Sequence, residues 1–149
     1  MKALVLLLTG TLAATMVFAS CTGFVGEWHY EEIQRVKSPD GVVDAVLVRG
    51  GGGATTGFVF AVFLVRSGTT FDEKAASFEQ DRAVFRDDHH DGLQLVWTKP
   101  QSLEIRFAKA RIMHFSNFWA SEDVQNYRYV VEVRLVPLEA SSLTDRDRS

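Results

Sequence analysis

Phe58-Val59-Phe60-Ala61-Val62-Phe63-Leu64-Val65 is an unbroken run of apolar residues, without a charge, a glycine or a proline. It is too short for an ordinary helix, and its Val and Phe content suits a pleated surface. Successive side chains of a strand point to opposite faces, so a strand apolar at every position must be covered on both. The run therefore predicts the central strand of a sheet, with Val62 and Phe63 both buried.

Working outward, Gly50 to Gly53 and Ala54-Thr55-Thr56-Gly57 read as a long hairpin loop. Before it, Val42 to Arg49 is rich in β-branched residues and predicts a strand. Ser38-Pro39-Asp40-Gly41 predicts a tight turn, because proline presets φ while Asp and Gly accept the bend. Residues 28–37 space Tyr30, Ile33 and Val36 three apart, which fits a helical turn or an irregular first strand. On the other side Ser67-Gly68-Thr69-Thr70 ends the run, and 71–80 reads as a short helix or a covering loop. Ala83 to Arg86 predicts a short strand and Asp87 to Gly92 a turn.

Leu93, Leu95 and Trp97 alternate with polar residues up to Thr98, as do Leu103, Ile105 and Phe107 after the turn at residues 99–102. Together they form the clearest hairpin in the chain. Ala110 to Phe115 suggests another strand, Ser116 to Asn126 an exposed loop, and Tyr127 to Leu135 a long alternating strand ended by Pro137. Six or seven strands on short turns predict a mainly β protein: an antiparallel meander forming a small sandwich or half-open barrel, after an N-terminal signal helix.

Sixteen basic and nineteen acidic residues give a net charge of −3, and the pI is about 5.8. With no basic footprint, nucleic acid is excluded as an expected partner. At the N-terminus, Lys2 precedes a charge-free run from Ala3 to Ala19 that ends in small residues, the form of a secretory signal. Phe18-Ala19-Ser20-Cys21 resembles the lipobox of bacterial lipoprotein precursors, with Phe18 where leucine is commonest. The resemblance implies diacylglycerol on the Cys21 thiol, cleavage before it, and a covalent lipid rather than a dissociable cofactor. Cys21 is the only cysteine, so no disulfide can form within the chain. The expected organisation is a signal peptide at 1–20, a lipidated tether at 21–27, one β-rich domain at 28–139 and a disordered tail at 140–149. Loss of Lys2 with the leader takes the remaining chain to a net charge of −4. Thr22 stands where Asp marks inner-membrane retention in enterobacterial lipoproteins, which by that resemblance implies the outer membrane.

Ser38-Pro39-Asp40-Gly41 before a strand also looks like the turn opening the blades of envelope β-propellers, but one copy cannot build a propeller. Residues 38–65, and less specifically 93–110, are similar to small uncharacterised bacterial envelope proteins. That similarity implies kinship and assigns chemistry to no residue.

Three places invite a functional reading. Asp87, His89, His90 and Asp91 are residue types that divalent metals accept, and would support a metal-assisted hydrolase; a solvated turn is the plainer reading. The glycine run at 50–53 lacks the lysine, hydroxyl and helix of a phosphate loop, which leaves Thr55 and Thr56 on a flexible loop able to approach a partner. Phe118 and Trp119, close to Phe115, would anchor an interface if exposed, although core burial is the commoner fate of such residues. No nucleophile elbow is present. The expectation is a lipid-anchored module facing the periplasm or exterior, which binds another envelope protein or supports an assembly; a metal-assisted hydrolase or a small inhibitor or immunity-type lipoprotein are the alternatives. Cys21→Ser should abolish acyl labelling in growing cells and leave unprocessed or soluble protein, and labelling equal to wild type would remove the anchor.

Overall fold

The computed structural model describes residues 29–51, 57–72, 82–89 and 91–138. Cys21 with the leader and tether, Thr55, Thr56, His90, most of the 71–80 segment and the 140–149 tail lie outside the described residues. Among the described residues no helix is long and apolar enough to cross a membrane.

The protein is mainly β. Strands β1 (His29–Lys37), β2 (Val43–Gly51), β3 (Val59–Arg66), β4 (Phe85–Asp87) and β7 (His114–Phe115) form one sheet in that spatial order. Strands β5 (Gln94–Lys99), β6 (Ser102–Phe107), β9 (Val131–Pro137) and β8 (Phe118–Trp119) form a second. The undecided 28–37 segment is strand β1, bulged between Glu32 and Gln34. The bulge explains its apparent three-residue spacing: Tyr30 and Val36 fall on opposite faces, and Ile33 is exposed at the irregularity.

The central-strand expectation holds. Ala61, Val62, Phe63 and Leu64 are all buried, with Val62 at 0% and Phe63 at 5% exposure. Val62 and Leu64 join Val43, Ala45 and Leu47 in a core shared with Leu95, Leu103, Ile105, Val131 and Val133 of the second sheet. On the opposite face Ala61 and Phe63 pack with Tyr30, Val46, Val48, Ala83 and Phe71. The rings of Phe63 and Phe71 lie 5.2 Å apart and those of Phe63 and Tyr30 6.2 Å, the latter edge-on. Phe58 corrects the sequence reading: the strand starts at Val59, and Phe58 is exposed. Strand β2 likewise runs through Gly50 and Gly51, which pair with Tyr30 and His29, instead of breaking at the glycine run.

One pairing departs from a meander. Strands β6 and β9 are parallel, with Leu103 opposite Val133 and Ile105 opposite Leu135. The cause lies in the intervening chain, which leaves the second sheet, pairs β7 with β4, and returns through β8 to start β9 beside the start of β6. The expected strand at 110–115 shrinks to β7 because its neighbour β4 has only three residues. The expected strand from Tyr127 starts at Val131, and the expected loop at 116–126 contains β8.

The sheets are tied at three edges. The Trp97 indole N–H donates to the Val36 carbonyl at 3.0 Å, linking β5 to β1. On the other side the Ser116 amide donates to Val84 of the first sheet, and the Asn117 carbonyl accepts from Val133 of the second. At the turn end the Tyr129 hydroxyl lies 2.7 Å from Asp40 and 2.9 Å from the Pro100 carbonyl, sharing its proton between the two acceptors. Burial and the Asp40 carboxylate push the Tyr129 phenol well above its ordinary pKa. Burial raises the Asp40 carboxyl, but hydrogen bonds from Tyr129, Ser38 and the Val42 amide outweigh it and leave the value below normal. The Ser-Pro-Asp-Gly turn is thus a joint between the sheets. Phe63→Ala would open a cavity beside the rings of Tyr30 and Phe71 and should lower unfolding free energy by about 3–5 kcal/mol; urea unfolding measures it, and a loss under about 1 kcal/mol would refute two-sided burial of β3.

Candidate functional site

The Asp/His turn begins where β4 ends. Asp87 is fully buried, and its Oδ1 accepts the amides of Asp88 and Arg111, both at 2.7 Å. Its Oδ2 is buried with no hydrogen-bond partner. The chain bends at Asp88, so strand alternation no longer separates neighbours, and one ligand atom each from Asp87, Asp88 and His89 lies within 4.8 Å of the others. Of the expected ligands the structure therefore brings together Asp87 and His89, adds Asp88, and leaves Asp91 apart. Asp91 is exposed, and its carbonyl accepts the Ala108 amide at 3.0 Å.

Apart from Asp87 Oδ2, the turn's carboxylates have partners of their own. Asp88 binds both His89 Nδ1 and the Arg111 guanidinium. Desolvation raises its carboxyl, but the His89 hydrogen bond and the Arg111 charge outweigh that and hold it below the ordinary range. Asp87 closes the turn by capping two amides, a structural use of a buried carboxylate. The arrangement stands as an ion-paired turn.

The second place is a groove of about 750 Å³ on the open side of the sandwich, within the range of ligand pockets. Its floor is β3 from Phe63 to Arg66, and its walls include Phe71, Ala83, Phe118, Trp119 and Tyr127. It exists because β4 is short. The ladder pairs Phe60, Ala61 and Val62 with Asp87, Arg86 and Phe85, and the Val84 amide then donates to the Val62 carbonyl. Backbone polar groups alternate sides along an antiparallel strand. The Ser67 amide bonds Val42 of β2, which places the odd-numbered residues of β3 towards β2 and turns Leu64 and Arg66 towards the groove. Thr69 donates to the Arg66 carbonyl. Opposite Leu64 no described strand stands.

Phe118 and Trp119 divide between the two fates weighed for them. Trp119 packs against the core, as does Phe115. Phe118 is 61% exposed at the groove wall, against the expectation of burial, because its pairing with Glu132 places it on the outer, solvated face of the second sheet.

Beside it, residues 121–128 fold into a knuckle that sequence reading missed. Gln125, Asn126 and Tyr127 have φ of 52°, 50° and 62°, three consecutive left-handed residues with no glycine among them. Each such residue costs about 1 kcal/mol or more. The Ser121 carbonyl accepts the amides of Val124 and Tyr127, the Glu122 carbonyl accepts that of Asn126, and buried Val124 pins the loop to the core. The result presents Tyr127, 58% exposed, at the groove. The only sequence hint was Asn126, a residue that tolerates left-handed backbone. Arg66, Arg82, Asp72, Glu122 and Asp123 put both signs of charge around the groove.

Compared with known protein families, curated proteins and solved structures, the chain matches none.

If the Asp/His turn is structural only, replacing His89 and His90 together by Ala should change stability by well under 1 kcal/mol. Zinc, manganese and chelator should leave the melting temperature of the wild type unchanged. A metal-dependent rise confined to the wild type, fading below about pH 6 as imidazoles protonate, would make the turn a metal site.

Proposed function

We propose that this chain is a non-enzymatic binding module of the cell envelope, held to the membrane through lipid on Cys21, and that its groove takes an extended segment of another envelope protein. One observation carries the reading: β3 turns the backbone of Leu64 into a 750 Å³ groove beyond the start of β4 at Phe85, where no strand stands among the described residues. An unpaired strand edge is a template for a further strand, and an incoming peptide gains main-chain hydrogen bonds from it. Phe118, Tyr127 and the half-buried Trp119 supply aromatic area beside that edge, the kind of side chain on which interface energy concentrates. The mixed charges around the groove favour a polar peptide over a purely apolar ligand. An inhibitor or immunity-type lipoprotein would be a special case of the same reading, with a toxin or enzyme as the partner.

A photo-crosslinking residue placed at Phe118 in growing cells should capture one envelope protein through a single segment, while the same residue at Ile33, exposed on the opposite sheet edge, should not. A synthetic peptide of that segment should then protect the Leu64 amide from hydrogen exchange. Phe118→Ala should weaken its binding by about tenfold, as for an interface anchor worth about 1.4 kcal/mol, with little change in melting temperature. Equal capture at both positions, or binding without Leu64 protection, would remove strand addition.

A further inference from the structure

Among the described residues, the large exposed apolar side chains other than Ile33 gather at the two ends of the sandwich. Phe118 and Tyr127 line the groove, towards the end that carries the Ser38–Gly41 turn. Phe58, Ile112 and Met113 lie at the other end, and are 58%, 40% and 43% exposed. Register places these three near one another. Phe60 pairs with Asp87 and Arg86 with His114, so Phe58 and Met113 are separated by about two strand widths and two residue steps, roughly 12 Å. The Met113 amide donates to the Arg86 carbonyl, which holds that segment against β4.

The same end receives the N-terminal chain. Strand β1 starts at His29, opposite Gly51, while its far terminus at Lys37 lies opposite Asp44. Eight residue steps separate His29 from Cys21, a span of about 28 Å when fully extended and roughly 16 Å when relaxed. A lipid on Cys21 would keep this end, and not the groove end, at the bilayer surface.

We propose that the tethered end rests on the bilayer itself, with Phe58, Ile112 and Met113 set into the headgroup boundary. The inference rests on acylation of Cys21. The charges of this end are balanced: Arg49 pairs with Glu31 at 2.5 Å and Arg111 with Asp88. Attraction to anionic headgroups is therefore weak, and apolar insertion is the main contribution. The Arg49 guanidinium lies 5.1 Å above the Phe58 ring, a cation–π contact that leaves an amphipathic pair suited to an interface. Three side chains bind a membrane feebly alone, but a tether this short makes the contact intramolecular, so weak affinity suffices. Contact at this end directs the groove end away from the membrane, towards a partner.

The test uses the full-length acylated chain in phosphatidylethanolamine and phosphatidylglycerol vesicles, with acyl chains brominated or not. Phe58→Trp and Tyr127→Trp are compared, with emission of the unsubstituted protein subtracted. Brominated lipid should reduce the added emission of Phe58→Trp by about half and leave that of Tyr127→Trp unchanged, as expected for a residue 5–10 Å into the interface. An acylated protein with equal quenching at the two positions, or none at position 58, overturns the contact and leaves the anchor standing. A chain that carries no acyl label when isolated from cells overturns the anchor, and the contact with it.

Discussion

Two adjacent strands that are apolar on both faces impose the architecture. Val43, Ala45 and Leu47 point one way from β2 while Val46 and Val48 point the other, and all are essentially inaccessible. Each buried Val, Leu or Phe contributes about 1.5–3 kcal/mol, so leaving either face wet would forfeit most of a small domain's margin. The second sheet covers one face. On the other, Tyr30, Phe71 and Ala83 pack against Phe63 and its neighbours. The polar exception on this second face is Asp44, 2% exposed, whose Oδ2 accepts Arg35 Nη1 at 3.1 Å. Arg35 also takes Glu32 in a two-pronged contact at 2.7 and 2.8 Å. Burial of Asp44 is thus tolerated because Arg35 reaches it from the edge of the sheet and the Gly68 amide donates to the same oxygen at 3.4 Å.

The closure of the sandwich is uneven, and the groove follows from that. On the β1 side nine-residue strands run the full height, and Trp97 bonds across to Val36. On the other side β4 has three residues, and it ends level with Phe60, where Asp87 turns from pairing to capping the amides of Asp88 and Arg111. The buried Oδ1 of Asp87 ties both the next residue and the Arg111 segment to that strand end. At the other end of β4, the edge of β3 beyond Val62 faces the chain that precedes Phe85, where no strand stands among the described residues.

How legible this was in the sequence depended on the range of the interaction. Residues 58–65, the 94–107 hairpin and the Ser38–Gly41 turn rest on local periodicity and turn chemistry, and all three were read nearly to the residue. The β1 bulge, the shortness of β4 and the parallel pairing of β6 with β9 depend on partners tens of residues away, to which a periodicity count is blind. Phe118 and Trp119 are adjacent aromatics that sequence alone treats alike, and only the register with Glu132 and Val131 decides which of them faces solvent. The turn at Asp88 brought adjacent side chains together, against the alternation expected of an extended chain. The left-handed run at Gln125–Tyr127 carries no glycine, so its conformation had almost no local signature.

That run is also the most economical pointer to where the surface acts. Three strained residues cost a few kcal/mol together, a sizeable share of a domain's stability, and glycine at any of them would relieve part of it. The hydrogen bonds to Ser121 and Glu122 and the burial of Val124 are sufficient to hold the loop, but they do not require a tyrosine at its crest. Tyr127 is not a core residue that drags its backbone into strain, since it is more than half exposed. What the knuckle achieves is position: it brings an aromatic ring to the rim of a groove whose floor is β3 from Phe63 to Arg66. Strain held in place by the surrounding structure, and used to present a side chain with no packing role, is the pattern of a recognition surface.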